Sequence, residues 1–252
     1  MKHNLFIRLF ILSLLLLSTG LLQAQTAETK QPAVENNIVK INLSALVFKN
    51  ISVQYERKIS RKSTLSLNVK YMPKGTIPFK SSVESAIDDA SVRVDLLKIG
   101  SSGFTAEYRY YLSKKGAFRG FYLGPFVSFN NYKTDLPLNY LNNTKTGVFV
   151  GSVSSFTGGL QLGVQWKLGK SIYLDWWILG PNYGSGKGDL ILITPLNTID
   201  QLSLRNELET LKNDLPLKVI KSYTVDANGA SIRAEGPWAG LRGMGINIGF
   251  RF

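Results

Sequence analysis

Apolar and polar residues alternate along this chain in segments of roughly ten residues, the length a tilted strand needs to cross a bilayer. Successive side chains of a strand point to opposite faces, so each segment predicts a strand with one apolar and one polar face. The first sets Val39, Ile41, Leu43, Ala45 and Val47 against Lys40, Asn42 and Ser44. The second sets Ile51, Val53, Tyr55 and Ile59 against Ser52, Gln54, Glu56 and Lys58, and the third sets Leu65, Leu67, Val69 and Tyr71 against Ser66, Asn68 and Lys70. In the fourth, Phe104, Ala106, Tyr108, Tyr110 and Leu112 oppose Thr105, Glu107 and Arg109. Phe121, Leu123, Val127 and Phe129 mark the fifth, weakened by Pro125. Leu160, Leu162, Val164, Trp166 and Leu168 alternate with Gln161, Gly163, Gln165 and Lys167 in the sixth. The seventh carries Ile172, Leu174 and Trp176 against Tyr173 and Asp175. The eighth alternates Met244, Ile246, Ile248, Phe250 and Phe252 with Gly245, Asn247, Gly249 and Arg251.

Eight such segments in series predict an all-β chain, a closed antiparallel up-and-down transmembrane β-barrel over residues 38–252. The links between segments agree. Those after the second, fourth and sixth are short, at 60–63, 113–120 and 169–170. Those after the third, fifth and seventh are long, near 73–100, 130–155 and 180–240; the first link, Lys49-Asn50, is short. Short turns on the periplasmic side and long loops outside are the pattern of outer-membrane barrels. The short turns carry Arg61, Lys62, Lys114, Lys115, Arg119 and Lys170, which suits either phospholipid headgroups or ordinary solvated turns.

The last long link predicts structure of its own. Thr194-Pro195 reads as a helix start, Leu204, Leu208, Leu211 and Leu215 recur at helical spacing, and Pro216 closes the segment. Residues 219–234 then read as a hairpin turning at Asn228-Gly229. A helix over the barrel mouth, with strands rising above the membrane, is the expectation. Gly184-Ser-Gly-Lys-Gly-Asp189 lacks phosphate-loop spacing and reads as a flexible loop.

Lys2 and Arg8 form a short positive region, Phe6 to Leu22 is almost continuously apolar, and Leu-Gln-Ala24 follows; this predicts an export signal over 1–24. A mobile periplasmic lead-in, 25–37, would follow it. The chain is basic, with net charge +13, and outer-membrane lipid and lipopolysaccharide are the expected counter-charge rather than nucleic acid. It has no cysteine, and its only histidine is His3. That excludes disulfides, thiolate metal sites and histidine-assisted nucleophiles beyond the signal, so neither catalytic residues nor cofactors are expected. Asp88, Asp89 and Asp95 lack the ligand spacing of a calcium site.

The polar faces collect Lys40, Glu56, Lys70, Glu107, Arg109, Asp175 and Arg251, with Lys58, Gln161 and Gln165. If these point inward, they pair in a narrow lumen that fixes register rather than conducting ions. Trp166, Trp176, Tyr110 and Phe121, with Trp177, Tyr108 and Phe252, fall near strand ends and suggest interfacial aromatic girdles.

The signal, the strands, the long outer loops and the closing Gly-Ile-Asn-Ile-Gly-Phe-Arg-Phe252 resemble the small bacterial outer-membrane barrels of the OmpA and OmpX type. Gly236-Pro-Trp-Ala-Gly-Leu-Arg-Gly-Met-Gly245 is similar to poorly characterised exported barrel families. The resemblance implies that Ile246, Ile248, Phe250 and Phe252 form the signal read by the barrel assembly machinery. The residues as a whole lead to the expectation of a non-enzymatic monomer of the outer membrane whose structured outer loops serve a surface partner or the envelope. Two alternatives stay open: a soluble periplasmic lipocalin-like barrel with its apolar face inward, and a lipid-modifying barrel enzyme. Periodicity alone does not say which face points in; Lys40, Glu56, Lys70, Glu107 and Arg109 with small glycines favour a wet lumen, since a solvated exterior is more heavily charged.

Overall fold

The computed structural model describes residues 35–76, 93, 95–215 and 218–252. The export segment, most of the lead-in, most of the 73–100 link with Asp88 and Asp89, and Pro216 lie outside the described residues. In chain order the strands are β1 (Asn37–Asn42), β2 (Ile51–Lys58), β3 (Ser63–Thr76), β4 (Lys98–Tyr111), β5 (Gly120–Tyr140), β6 (Lys145–Lys167), β7 (Ile172–Leu179), β8 (Pro181–Ile193), β9 (Ile220–Asp226), β10 (Gly229–Leu241) and β11 (Gly245–Arg251). Among the described residues two helices join them, α1 (Leu43–Val47) and α2 (Thr198–Asp214).

A run of alternating strands leaves two unpaired edges unless the first meets the last. Here it does: β1 pairs antiparallel with β11, placing Val39 opposite Phe250 and Ile41 opposite Ile248. Strands β1 to β7 pair in sequence and β7 pairs β11, so eight strands close an antiparallel up-and-down barrel. Strand β1 begins and β11 ends at the short-turn end, where Asn37 N–H donates to the Phe252 carbonyl at 3.1 Å.

The alternation resolves in one direction. Ile248, Ile41, Val53, Val69, Phe104, Phe129 and Phe156 form one continuous cross-strand row, and all of them are exposed on the outer wall. Ser52, Gln54, Glu56, Ser66, Asn68, Thr105 and Gln165 are buried inside. The lumen is therefore polar and the outside apolar, the opposite of a lipocalin. Eight strands leave only enough bore for side chains, so inward glycines stand where long neighbours need room. A Cβ at Gly124 would strike the Glu107 carboxylate, one at Gly163 the Tyr122 ring, and one at Gly249 the Lys40 stem.

Several local expectations change. The upper half of the first segment is helical: Leu43–Val47 forms α1, capped by the Asn42 side chain, which accepts from Ala45 N–H at 2.8 Å. Pro125 sits inside β5 without ending it. The 130–155 link is a paired hairpin, β5 running to Tyr140 and β6 starting at Lys145. Gly184 to Asp189 lies within strand β8, where Gly184 and Gly188 let its backbone approach β6 too closely for any Cβ. Helix α2 starts later than the proline suggested, with Asn197 as its cap, accepting from Asp200 N–H at 2.9 Å. The β9–β10 turn is Ala227-Asn228, one residue earlier, because Asp226 pairs with Gly229.

The last link builds a second core outside the barrel. The upper β5 and β6 continue into β8, β10 and β9 as one sheet. Leu204 and Leu208 of α2 pack on it against Leu138, Phe149, Leu190 and Ile232, all buried. Tyr140 and Leu192 extend this cluster, and Leu211 and Leu215 border it. The leucine stripe thus serves this core. Lys145 clamps the first turn of α2 through both oxygens of Asp200, each at 2.8 Å. That bond holds the Lys145 ammonium above its usual pKa, and the carboxylate favours the positive helix start.

Candidate functional site

Six charged side chains from four strands and one strand junction meet inside the barrel. Glu56 comes from β2, Glu107 and Arg109 from β4, Asp175 from β7 and Lys40 from β1, each between 0 % and 1 % exposed. Arg242 reaches down from the segment between β10 and β11. Lys40 uses its three ammonium hydrogens on Glu56, on Asp175 at 2.6 Å and on Gln165 Oε1 at 2.8 Å. Arg109 donates to Asp175 at 2.7 Å, to both Glu107 oxygens at 3.0 and 3.2 Å, and to Glu56 and Gln54 at 3.3 Å. Its plane lies over the Tyr122 ring at 4.4 Å. Tyr122 donates to Asp175 at 2.9 Å, and the Tyr111 hydroxyl lies 2.7 Å from Glu56. Arg242 Nη1 completes the set by donating to Glu107 at 2.8 Å. A buried charge is tolerated only when paired and hydrogen-bonded, and these groups meet that condition.

Below this layer, toward the short turns, Phe118 folds in from the β4–β5 turn and packs with Ile38 and Tyr173, all 1 % exposed or less. Phe118 holds φ +70°, a conformation a bulky residue rarely adopts, so packing inside the barrel outweighs backbone strain. Arg251 lies here, its guanidinium donating to the Tyr173 hydroxyl at 2.9 Å. Above the charged layer the lumen opens into a cavity of about 540 Å³ lined by Asn42, Ser52, Asn68, Lys70, Asn130 and Arg242, with Tyr132, Trp177 and Trp238 on its walls. The aromatic plug and the ion-paired layer close the lumen beneath it.

The expected lumen group thus separates into levels. Lys40, Glu56, Glu107, Arg109 and Asp175 come together, joined by Gln165; Lys70 stands in the cavity above, and Arg251 below at the plug. Trp166, Trp176, Tyr110 and Phe121 face outward on the wall, as do Ile246, Ile248, Phe250 and Phe252. Trp177 does not join them. It is buried inside, over Arg242 at 3.9 Å. Its position two residues after Asp175 could have shown this, as the spacing from Arg109 could have shown Tyr111. Arg242 and Phe118 had no such signal, lying where strand alternation is interrupted. Among the described residues, no cluster of three or more His, Cys, Asp or Glu could hold a metal ion.

Residues 10–184 match a family model described as "Protein of unknown function (DUF3575)". The chain belongs to that family. In this DUF3575 protein the match ends inside β8, so α2, β9, β10 and β11 lie beyond it. No curated protein matches the chain. Among solved structures it is similar to the translocator domain of autotransporter NalP from Neisseria meningitidis, at 12 % identity and a TM-score of 0.37, over 100 % of this chain and 98 % of that one.

Proposed function

We propose that this DUF3575 protein is a monomeric, non-enzymatic integral protein of the bacterial outer membrane, akin to small OmpA- and OmpX-type barrels, whose outer module serves surface contact or envelope stability. The observation that supports this reading is the orientation of the wall: apolar side chains outward around the barrel, and an ion-paired polar layer sealed within. Lipid is the solvent that such a wall suits, because a closed barrel leaves no backbone group of the span unpaired. Among the described residues, the interior carboxylates Glu56, Glu107 and Asp175 are each engaged by cations, which leaves none of the three free as a general base. The same layer argues against an ion path.

Carbonate washing of membranes is expected to leave the protein in the pellet, and an unboiled sample should migrate faster than a boiled one in a denaturing gel. Release into the supernatant, with no mobility difference, would overturn the membrane reading. Export, and insertion through the barrel assembly machinery, are part of the proposal. Phe252→Ala should lower the folded, membrane-inserted fraction several-fold without changing the mobility of the protein that does insert. Unchanged insertion would remove the assembly role from the terminal strand.

A further inference from the structure

The outer cavity holds more positive charge than the layer below it balances. Among the described residues, the charged groups buried in the barrel or lining this cavity are four cations, Lys40, Lys70, Arg109 and Arg242, and three carboxylates, Glu56, Glu107 and Asp175. Glu107 is shared between Arg109 and Arg242, so Arg242 is only half engaged. Its Nη2 is buried with no hydrogen-bond partner. The guanidinium lies over Trp177 at 3.9 Å and Phe126 at 5.2 Å, which fixes its plane and leaves that edge free. Lys70 makes no ion pair among the described residues, and its ammonium lies 5.9 Å from the Tyr132 ring centre. A guanidinium edge and an ammonium around one space are suited to phosphate oxygens, which accept charge-assisted bonds from both.

The wall of the cavity is also incomplete on one side. Pairing of β1 with β11 stops at Asn42 and Asn247, and β9 pairs β10 no lower than Ala234. Between these limits, Gly236 to Leu241 of β10 pairs with β8 alone. Helix α1 stands beside the opening, Ser44 Oγ accepting from Ile246 N–H at 2.9 Å. Phe48, Leu241 and Met244 line the cavity here and are exposed by 50 %, 65 % and 82 %. An apolar rim continuous with the exposed outer wall, opening onto paired cations, suits an amphiphile better than a free anion.

We propose that the outer cavity binds the phosphate of a lipid from the surrounding leaflet, with Arg242 and Lys70 taking the phosphate and the Phe48–Leu241–Met244 rim taking the first carbons of its chain. The lipid as source rests on the membrane-spanning reading; the phosphate site does not. The test is calorimetric titration of the purified full chain in neutral detergent with dihexanoyl phosphatidic acid, dihexanoyl phosphatidylcholine and glycerol 3-phosphate. Phosphatidic acid should bind at least about tenfold tighter than either of the others, and Lys70→Met or Arg242→Gln should each weaken it by about tenfold. Lys70→Met breaks no ion pair, so it carries the test should Arg242→Gln fail to fold. Equal binding of the two lipids, or wild-type affinity in Lys70→Met, overturns the site. Glycerol 3-phosphate binding as tightly as phosphatidic acid keeps the phosphate site and overturns the lipid source. A folded, carbonate-resistant protein that ignores phosphatidic acid sinks this proposal alone, whereas release by carbonate sinks the membrane reading.

Discussion

Arg109→Met should destabilise the barrel more than any surface substitution, by about 3–5 kcal/mol. Arg109 is fully buried and touches all three carboxylates of the lumen, with five hydrogen bonds to Glu56, Glu107, Asp175 and Gln54. Removing it leaves Lys40 to share between Glu56 and Asp175, and Arg242 as the only cation on Glu107. The cost comes from carboxylates left buried with too few partners, since the methionine stem still fills much of the space. Adding Asp175→Asn removes one excess negative charge, so the double variant should recover at least about a third of the loss. Arg109→Lys should fall between, because a single ammonium cannot span a fork of five donors. Urea unfolding in phospholipid vesicles, followed by tryptophan fluorescence, measures each step. A wild-type midpoint for Arg109→Met would mean the charged layer is not what holds the strands in register.

That layer was legible in the sequence as far as strand alternation runs unbroken. Lys40, Glu56, Glu107, Arg109 and Asp175 sit on polar faces of segments whose register needs no further information than their period. Period alone does not say which way those faces turn, because an apolar-out barrel and an apolar-in barrel share one periodicity; the charges and small glycines of the polar faces decide it for a wet lumen. The inward glycines held the discriminating signal: Gly124, Gly163 and Gly249 are spaces for Glu107, Tyr122 and Lys40, and a solvated exterior would have no use for them. The remaining differences have separate local causes. Leu43 to Val47 keeps the apolar alternation of a strand, yet Asn42 caps it into a helix, since a side-chain acceptor at that point favours a turn. Gly184 to Gly188 looked like a loop because every second residue is glycine, yet close approach to β6 is what those glycines allow. Phe118 and Arg242 come from a turn and a strand break, and only three-dimensional closure brings them into the lumen.

The second large effect is expected in the outer module. Leu204 and Leu208 of α2 are fully buried, in one core with side chains of β5, β6, β8, β9 and β10. Truncating a buried leucine to alanine costs about 2–5 kcal/mol, and two neighbours on one helix face couple rather than add. Among the described residues, the module's core is built from 12 buried side chains, none of which faces the lumen of the barrel. Leu204→Ala with Leu208→Ala should therefore release α2 while the barrel, held by its own strand ladder and charged layer, stays closed. Limited proteolysis of the variant in detergent should cut between residues 196 and 220, at least about tenfold faster than in the wild type. The heat-dependent mobility shift should persist. The strands argue the same way, because β8 and β10 continue β7 and β11 upward, so the module is tied to the barrel by backbone and not by α2. Loss of the mobility shift along with the rapid cleavage would mean that the two cores fold as one cooperative unit.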